Sequence, residues 1–145
     1  MKVSVILQKK GSADVTTIAA DASARVAVAE LSQRRIGALV VVGSGGDDIA
    51  GILSERDIVR RLGQDGADVL DRSVGDLMTN EVMTCSAEDT AFDLLGRMTE
   101  GRFRHMPVVG QDRRMIGILS IGDVVKARLE EIEAENAAMA DMLSH

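Results

Sequence analysis

Two stretches of the chain carry the same polar phrase, Ser54-Glu55-Arg56-Asp57 and Ser120-Ile121-Gly122-Asp123, each preceded by Gly-Ile-Leu. A Ser followed three residues later by an acid, directly after an apolar run, is the pattern of a helix N-terminus. The hydroxyl accepts from an early amide and the carboxylate reaches back to the cap amide. Each phrase therefore reads as a strand end feeding a helix, with Ser as N-cap and Asp at the third helical position. The same spacing recurs at Ser44 to Asp47, Ser73 to Asp76 and Ser86 to Asp89, so spacing alone implies no more than a cap. The preceding Gly-Ile-Leu strand sets two of the five apart. At a strand-to-helix junction, backbone N–H groups converge on a natural anion site. A Ser hydroxyl there can donate to a phosphate, and the two oxygens of an Asp complement a ribose cis-diol. Together they could hold a nucleoside monophosphate by its polar end. Gly51 and Gly117, small residues in the strand, would let a ligand approach closely.

A second polar cluster is Arg102-Phe103-Arg104-His105-Met106-Pro107. The guanidinium of Arg104 is a planar fork matched to phosphate, and His105 is a donor that switches near neutral pH. The plainer alternative is that Arg102 and Arg104 alternate onto solvent and His105 is a satisfied edge residue. The corresponding positions of the first phrase are Gly37 and Ala38, where Arg56, Arg60 and Arg61 could compensate. Any two sites should thus be unequal. Cys85 and His105 could be imagined as nucleophile and base, but a lone Cys on an apolar strand is ordinarily a small core residue. The chain has neither a Gly-x-x-x-x-Gly-Lys-Ser/Thr phosphate loop nor a His/Glu metal motif. No catalytic constellation emerges, and a non-enzyme is expected.

Composition narrows the classes further. With 46% hydrophobic residues the 145-residue chain can bury a core, and with Phe92 and Phe103 its only aromatics that core must be aliphatic. Stacking platforms for single-stranded nucleic acid are missing. A net charge of −6 opposes general binding to polyphosphate backbones. One Cys excludes an intrachain disulfide and, with only His105 and His145, a Cys-rich zinc site. No apolar run is long enough to cross a bilayer, and Val3-Ser4-Val5-Ile6-Leu7 is too short for a signal peptide. These readings predict a soluble cytoplasmic protein with no nucleic-acid or membrane partner.

The elements that must position the two phrases repeat with them. Leu39-Val40-Val41-Val42-Gly43 and Met106-Pro107-Val108-Val109-Gly110 stand 67 residues apart, whereas Gly51 and Gly117 stand 66 apart. One extra residue belongs in the first turn, where insertions are tolerated. Ala24, Val28 and Leu31 return as Ala91, Leu95 and Met98, one helix face in both copies. Such repetition must be found first, since missing it mistakes the whole fold. In order, the pattern predicts a short helix from Val3 to Lys10 with a basic end at Lys9-Lys10 and a stop at Gly11, a strand from Val15 to Ile18, a helix capped by Asp21 and running to about Arg35, and a strand from Ala38 to Val42. A turn at Ser44-Gly45-Gly46-Asp47-Asp48, a strand from Ile49 to Leu53 and a helix from Ser54 to about Leu62 follow. Gln64 to Asp71 reads as a connector. The second copy has a short helix from Ser73 to Met78, a strand from Glu81 to Cys85, a helix from about Asp89 to Gly101, and a hairpin of Met106–Val109 with Met115–Leu119. Its last helix, from Ser120, continues unbroken. Leu129, Ile132, Asn136, Met139 and Leu143 form an a/d seam with Asn at an a position, which favours register-specific pairing. The alternative is a tail lying on its own domain.

The doubled Gly-Ile-Leu-Ser-x-x-Asp units, with Arg104-His105-Met106-Pro107-Val108-Val109 beside the second, resemble the cystathionine-beta-synthase (CBS) domain family, two such domains forming one Bateman module. The resemblance covers Val3 to about Leu129. It implies an α/β (α+β) fold of two tandem β-α-β-β-α repeats packed sheet to sheet about a pseudo-twofold axis, with a long C-terminal helix. The repeats would occupy residues 1–65 and 66–128, followed by a helical extension over 129–145. It also implies clefts between the repeats for an adenosine-containing ligand: AMP above all, or ADP, ATP, NAD or S-adenosylmethionine. Asp57 and Asp123 would take ribose hydroxyls, and Ser54, Ser120, Arg104 and His105 the phosphate. Thr17, Ile18, Thr84 and Cys85 would line the adenine slot, with Arg56 and Pro107 completing the set. No cofactor is required. A homodimer that acts through an unidentified protein partner is the expected form, and a constitutive dimeric scaffold whose Ser-x-x-Asp pairs are only caps is the alternative. A small nucleotide-processing enzyme is a third, and the weakest.

Overall fold

Apolar runs Leu39–Val42 and Met106–Val109 form central strands because each is flanked on both sides by a strand of its own repeat. The computed structural model describes residues 1–11, 16–43 and 48–144. In the first repeat these are β1 (Thr17–Ala19), β2 (Ala38–Val42) and β3 (Ile49–Ser54), with helix α2 (Ala24–Arg34) crossing over between β1 and β2 and helix α3 (Glu55–Asp65) following β3. The leading helix of the chain is α1 (Val3–Lys10), ended by Gly11 at φ 74°. A left-handed residue there closes the last turn, which is why glycine holds it. The second repeat has its own leading helix α4 (Val74–Leu77), then β4 (Cys85–Ser86), α5 (Ala91–Gly101), β5 (His105–Val109), β6 (Met115–Ser120) and α6 (Ile121–Leu143).

Each repeat makes one three-stranded sheet, ordered β1-β2-β3 and β4-β5-β6, with the first pair parallel and the second antiparallel. A parallel pair needs a crossover, and the helix between its strands supplies it. The two hairpins share one register, with Val41 opposite Gly51 and Val108 opposite Gly117. Both slip at the next residue. The connection between the paired strands spans 43–48 in the first and 110–114 in the second, so the one-residue difference falls between the strands. The turn reading at Ser44–Asp47, like the Ser44/Asp47 pair and the start of the first strand at Val15, falls outside the described residues.

Several boundaries move for identifiable reasons. Ser23, not Asp21, caps α2 by accepting from the Val26 amide at 3.3 Å. Helix α5, expected from about Asp89, starts at Ala91 with Thr90 as its cap, accepting from the Asp93 amide at 3.2 Å, while Asp89 is engaged with the Ser86 amide at 2.8 Å. The strand expected over 81–85 is only Cys85–Ser86. In the first repeat the Val40 amide extends the parallel ladder by donating to the Thr16 carbonyl at 3.2 Å. Pro107 stands in the place of Val40 and has no N–H to give, so the ladder starts later. The connector is also more ordered than its composition suggests. Helix α3 runs through Asp65, and a 3-10 turn over Ala67–Asp71 buries Val69 completely.

The leading helices are exchanged. Val3 and Ile6 of α1 lie in the cluster built by Leu94, Met98, Met106 and Leu119 of the second repeat. Val74 and Leu77 of α4 lie with Leu31, Leu39, Leu53 and Ile58 of the first. Matching backbone bonds tie them in: Val3 donates to the Asp89 carbonyl and Val74 to the Ala22 carbonyl, both at 2.8 Å. The compact units are therefore 14–83, and 1–13 with 84–145. They divide the chain differently from repeats written as 1–65 and 66–128. Each helix of this kind has too little apolar surface to fold alone and is stable only against a sheet.

Candidate ligand site

The two Ser-x-x-Asp phrases are complete capping boxes. In the first, the Ser54 amide donates to Asp57 Oδ2 at 3.0 Å and the Asp57 amide donates to Ser54 Oγ at 3.2 Å. Ser54 Oγ also donates to Asp57 Oδ2 at 3.0 Å, and Arg60 Nη2 donates to Oδ1 at 3.0 Å. Asp57 is 7% exposed. In the second box the Ser120 amide reaches Asp123 Oδ2 at 2.9 Å and the Asp123 amide reaches Ser120 Oγ at 3.2 Å. Of the other three such spacings, Ser73 to Asp76 is a one-way cap and Ser86 to Asp89 closes a turn ahead of a helix.

Convergence of open amides at these junctions is narrower than the spacing suggests. The first helical amide is already used in both copies: Glu55 donates to the Gly37 carbonyl at 2.9 Å and Ile121 to the Arg104 carbonyl at 2.8 Å. With the cap and third-position amides closed within each box, the protein itself fills most of what an anion would take.

What distinguishes the copies is the cation beside each carboxylate. Arg60, one turn along α3, holds Asp57. Its counterpart Lys126 makes no ion pair among the described residues. Asp123 is instead held by Lys10 at the end of α1, whose Nζ donates to Asp123 Oδ2 and to the Ile118 carbonyl, both at 3.0 Å. Among the described residues no hydrogen bond reaches Asp123 Oδ1, whereas both oxygens of Asp57 are taken. Burial opposes ionisation of Asp123, but the Ser120 amide and Lys10 outweigh it and hold the carboxyl below its usual range. A shallow groove runs past this carboxylate between α1 and α6, lined by Lys9, Lys10, Lys126 and Glu130. In the sequence Lys9 and Lys10 are no more than the basic last turn of a helix. The signal that finds Lys126 is its repeat position, three residues after Asp123 as Arg60 is after Asp57.

The remaining candidates divide by burial. His105 opens β5 directly opposite Ser120. Arg104 precedes it, exposed, and Arg56 is exposed on the first turn of α3. Thr17 and Thr84 are exposed. The side chains of Ile18 and Cys85 belong to the hydrophobic clusters, and Pro107 is buried between its strand neighbours. Gly51 and Gly117 face protein, not open space: a methyl group at 51 would lie 2.5 Å from the Thr79 carbonyl and one at 117 would lie 2.7 Å from Leu7. Their smallness admits the leading helices.

Cys85 is no nucleophile. Burial pushes its thiol up to about 12, with the Asp89 charge adding to the effect, and its Sγ lies 3.7 Å from the Pro107 carbonyl. Because its native value is raised, proton release by the unfolded chain lowers stability as pH rises above the ordinary thiol range. At pH 8 the folded protein should resist aromatic disulfide reagents and react fully only in denaturant. Rapid stoichiometric labelling of the native chain would contradict this. Among the described residues no three His, Cys, Asp or Glu side chains cluster as metal ligands, and no helix is long and apolar enough to cross a membrane.

Residues 11–64 and 74–130 each match the family model described as CBS domain. The chain belongs to the CBS domain family. It is 38% identical over 139 residues to a mitochondrial CBS domain-containing protein of Arabidopsis thaliana, spanning 92% of this chain and 67% of that one. The chain spans 61% of a second curated relative and 23% of a third. Among solved structures, a CBS-domain containing protein of Agrobacterium tumefaciens is 42% identical with a TM-score of 0.82, covering 88% of this chain and 92% of its own. A CBS domain protein of Pyrobaculum aerophilum complexed with AMP is 25% identical with a TM-score of 0.75, covering 85% and 89%. The two three-stranded sheets and the long last helix are thus those of a CBS domain pair.

Proposed function

We propose that this CBS domain pair is a non-catalytic regulatory module that binds an adenosine-containing nucleotide, AMP foremost, at its capped helix openings. The observation that carries this reading is the second box, where a half-buried junction keeps Asp123 ionised with one oxygen unused among the described residues, on a fold whose relative is complexed with AMP. Asp123 takes a ribose hydroxyl, and His105, Arg104 and Ser120 lie in the same repeat to meet the phosphate. Asp57 and Ser54 serve a second, weaker site. The module works as a homodimer in a reducing, cytoplasmic setting and reports to a protein partner through a ligand-driven shift in packing.

One observation favours the other reading, a constitutive scaffold: every oxygen of the Asp57 carboxylate is already committed to its cap and to Arg60. Thermal unfolding separates the two. A sensor gains stability with AMP, about 2.7 kcal/mol at a hundred-fold excess over Kd. Melting temperatures unchanged across AMP, ADP, ATP, NAD and S-adenosylmethionine would leave only the scaffold.

A further inference from the structure

Helix α6 is 23 residues long, but only its first part packs on its own unit. Val124 and Ala127 are buried in the cluster with Leu94 and Met98. Glu131 receives the chain's terminal ammonium at 2.8 Å and Arg128 at 3.1 Å. From Ile132 to Ser144 every residue is exposed. A tail lying on its own domain is therefore not what forms.

The exposed stretch is not polar all round. Leu129, Ile132, Met139 and Leu143 are 55%, 41%, 61% and 86% exposed. They occupy a and d positions of two heptads, with Asn136 at the central a position. A helix of about a dozen residues is marginal in water by itself. Covering this stripe is what would stabilise it, and the order of its residues specifies what covers it.

A second copy of the same helix fits, and in one direction. Parallel and in register, Asn136 meets its own counterpart, a pairing that sets register and favours two strands. Arg128 at g then faces Glu133 at e of the second helix, and Glu135 faces Ala140. Arg128 gives Nη1 to Glu131 and lies over the Phe92 ring, its Cζ 5.3 Å from the centroid, so a bond to that carboxylate draws on its remaining N–H groups. Antiparallel, with a against d, Asn136 would be buried against Ile132, and Glu133 and Glu135 would each meet themselves. Glu130, Glu131 and Asp141 fall at b, c and f, outside the seam.

We propose that residues 129–143 pair two copies of this chain as a parallel, in-register coiled coil centred on Asn136. The assignment rests on the homodimer proposed above and not on nucleotide binding. Its test uses the full chain carrying Met139→Cys, at d, beside a control with Ala138→Cys on the outer face, each exposed to oxidised glutathione. Cys85 is buried and does not compete. The expected result is a disulfide-linked dimer formed at least ten-fold faster from the first variant, together with a concentration-dependent dimer of the unmodified chain by sedimentation. Equal rates, or no cross-link from Met139→Cys in a chain that sediments as a dimer, would place the interface elsewhere and overturn the coiled coil. A monomer at every concentration would remove the homodimer as well, while AMP calorimetry reports separately on the nucleotide site.

Discussion

Asp123→Ala is expected to weaken AMP binding roughly ten-fold or more, since a hydrogen bond to a charged group contributes about 1.5–3 kcal/mol. Asp57→Ala should do the reverse, changing affinity little and stability more. The difference follows from where the oxygens are spent. Among the described residues Asp123 keeps Oδ1 open beside a groove lined by Lys9, Lys10 and Lys126, whereas Asp57 gives one oxygen to both groups of Ser54 and the other to Arg60. Losing Asp57 strips the buried end of α3 of its reciprocal partner, a loss of about 1 kcal/mol for a cap of this kind. Isothermal calorimetry and thermal melts on both variants decide it. Equal losses of affinity would mean two equivalent sites, and no loss in either would dissolve the site assignment. Protonation offers a check on the same residue. The native carboxyl of Asp123 is held below its ordinary range, so its contribution is present at neutral pH and lost as pH falls through that lower value. The stability gap between wild type and Asp123→Ala should therefore hold from pH 7 to 5 and close only below about 4.

Gly51→Ala should be among the most damaging single-methyl changes in the chain, and Gly117→Ala distinctly milder, although the two glycines are repeat equivalents. At 51 the added carbon meets the Thr79 carbonyl at 2.5 Å and Met78 Sδ at 2.7 Å. That carbonyl is fixed, because it accepts from the Ile52 amide at 3.1 Å while the Thr79 amide donates to the Ile52 carbonyl at 2.8 Å. Relief requires moving a backbone ladder. At 117 the nearest atom is a terminal methyl of Leu7, which can rotate away. Overpacking of this kind costs about 1–3 kcal/mol. Urea unfolding should place Gly51→Ala near the upper end of that range and Gly117→Ala near or below the lower. The opposite order would show that α4 yields more readily than α1.

Much of this architecture is legible in the residues. The phrase Gly-Ile-Leu-Ser-x-x-Asp foretells a strand, a cap and a helix because each is decided within a few residues by alternation and a local hydrogen bond. The one-residue difference between the copies falls between the paired strands, where it leaves their shared register intact. The shortened β4 shows the limit. Met83-Thr84-Cys85 has the composition of a strand, but a Pro 22 residues beyond Cys85 withholds the donor that would extend it. Ser23 likewise displaces the acid two residues before it, since a hydroxyl nearer the helix reaches its amide without strain.

From the chain alone come the doubled unit, its strand and helix order, the capping boxes and the aliphatic core, all products of short-range periodicity. Only the folded molecule decides that α1 packs on the second repeat and α4 on the first, because two short apolar helices carry no mark of which sheet will bury them. The same long-range step brings Lys10 to Asp123 across 113 residues, while Arg60 meets Asp57 across three. The inequality of the two carboxylates is thus a product of packing, which local pattern does not encode.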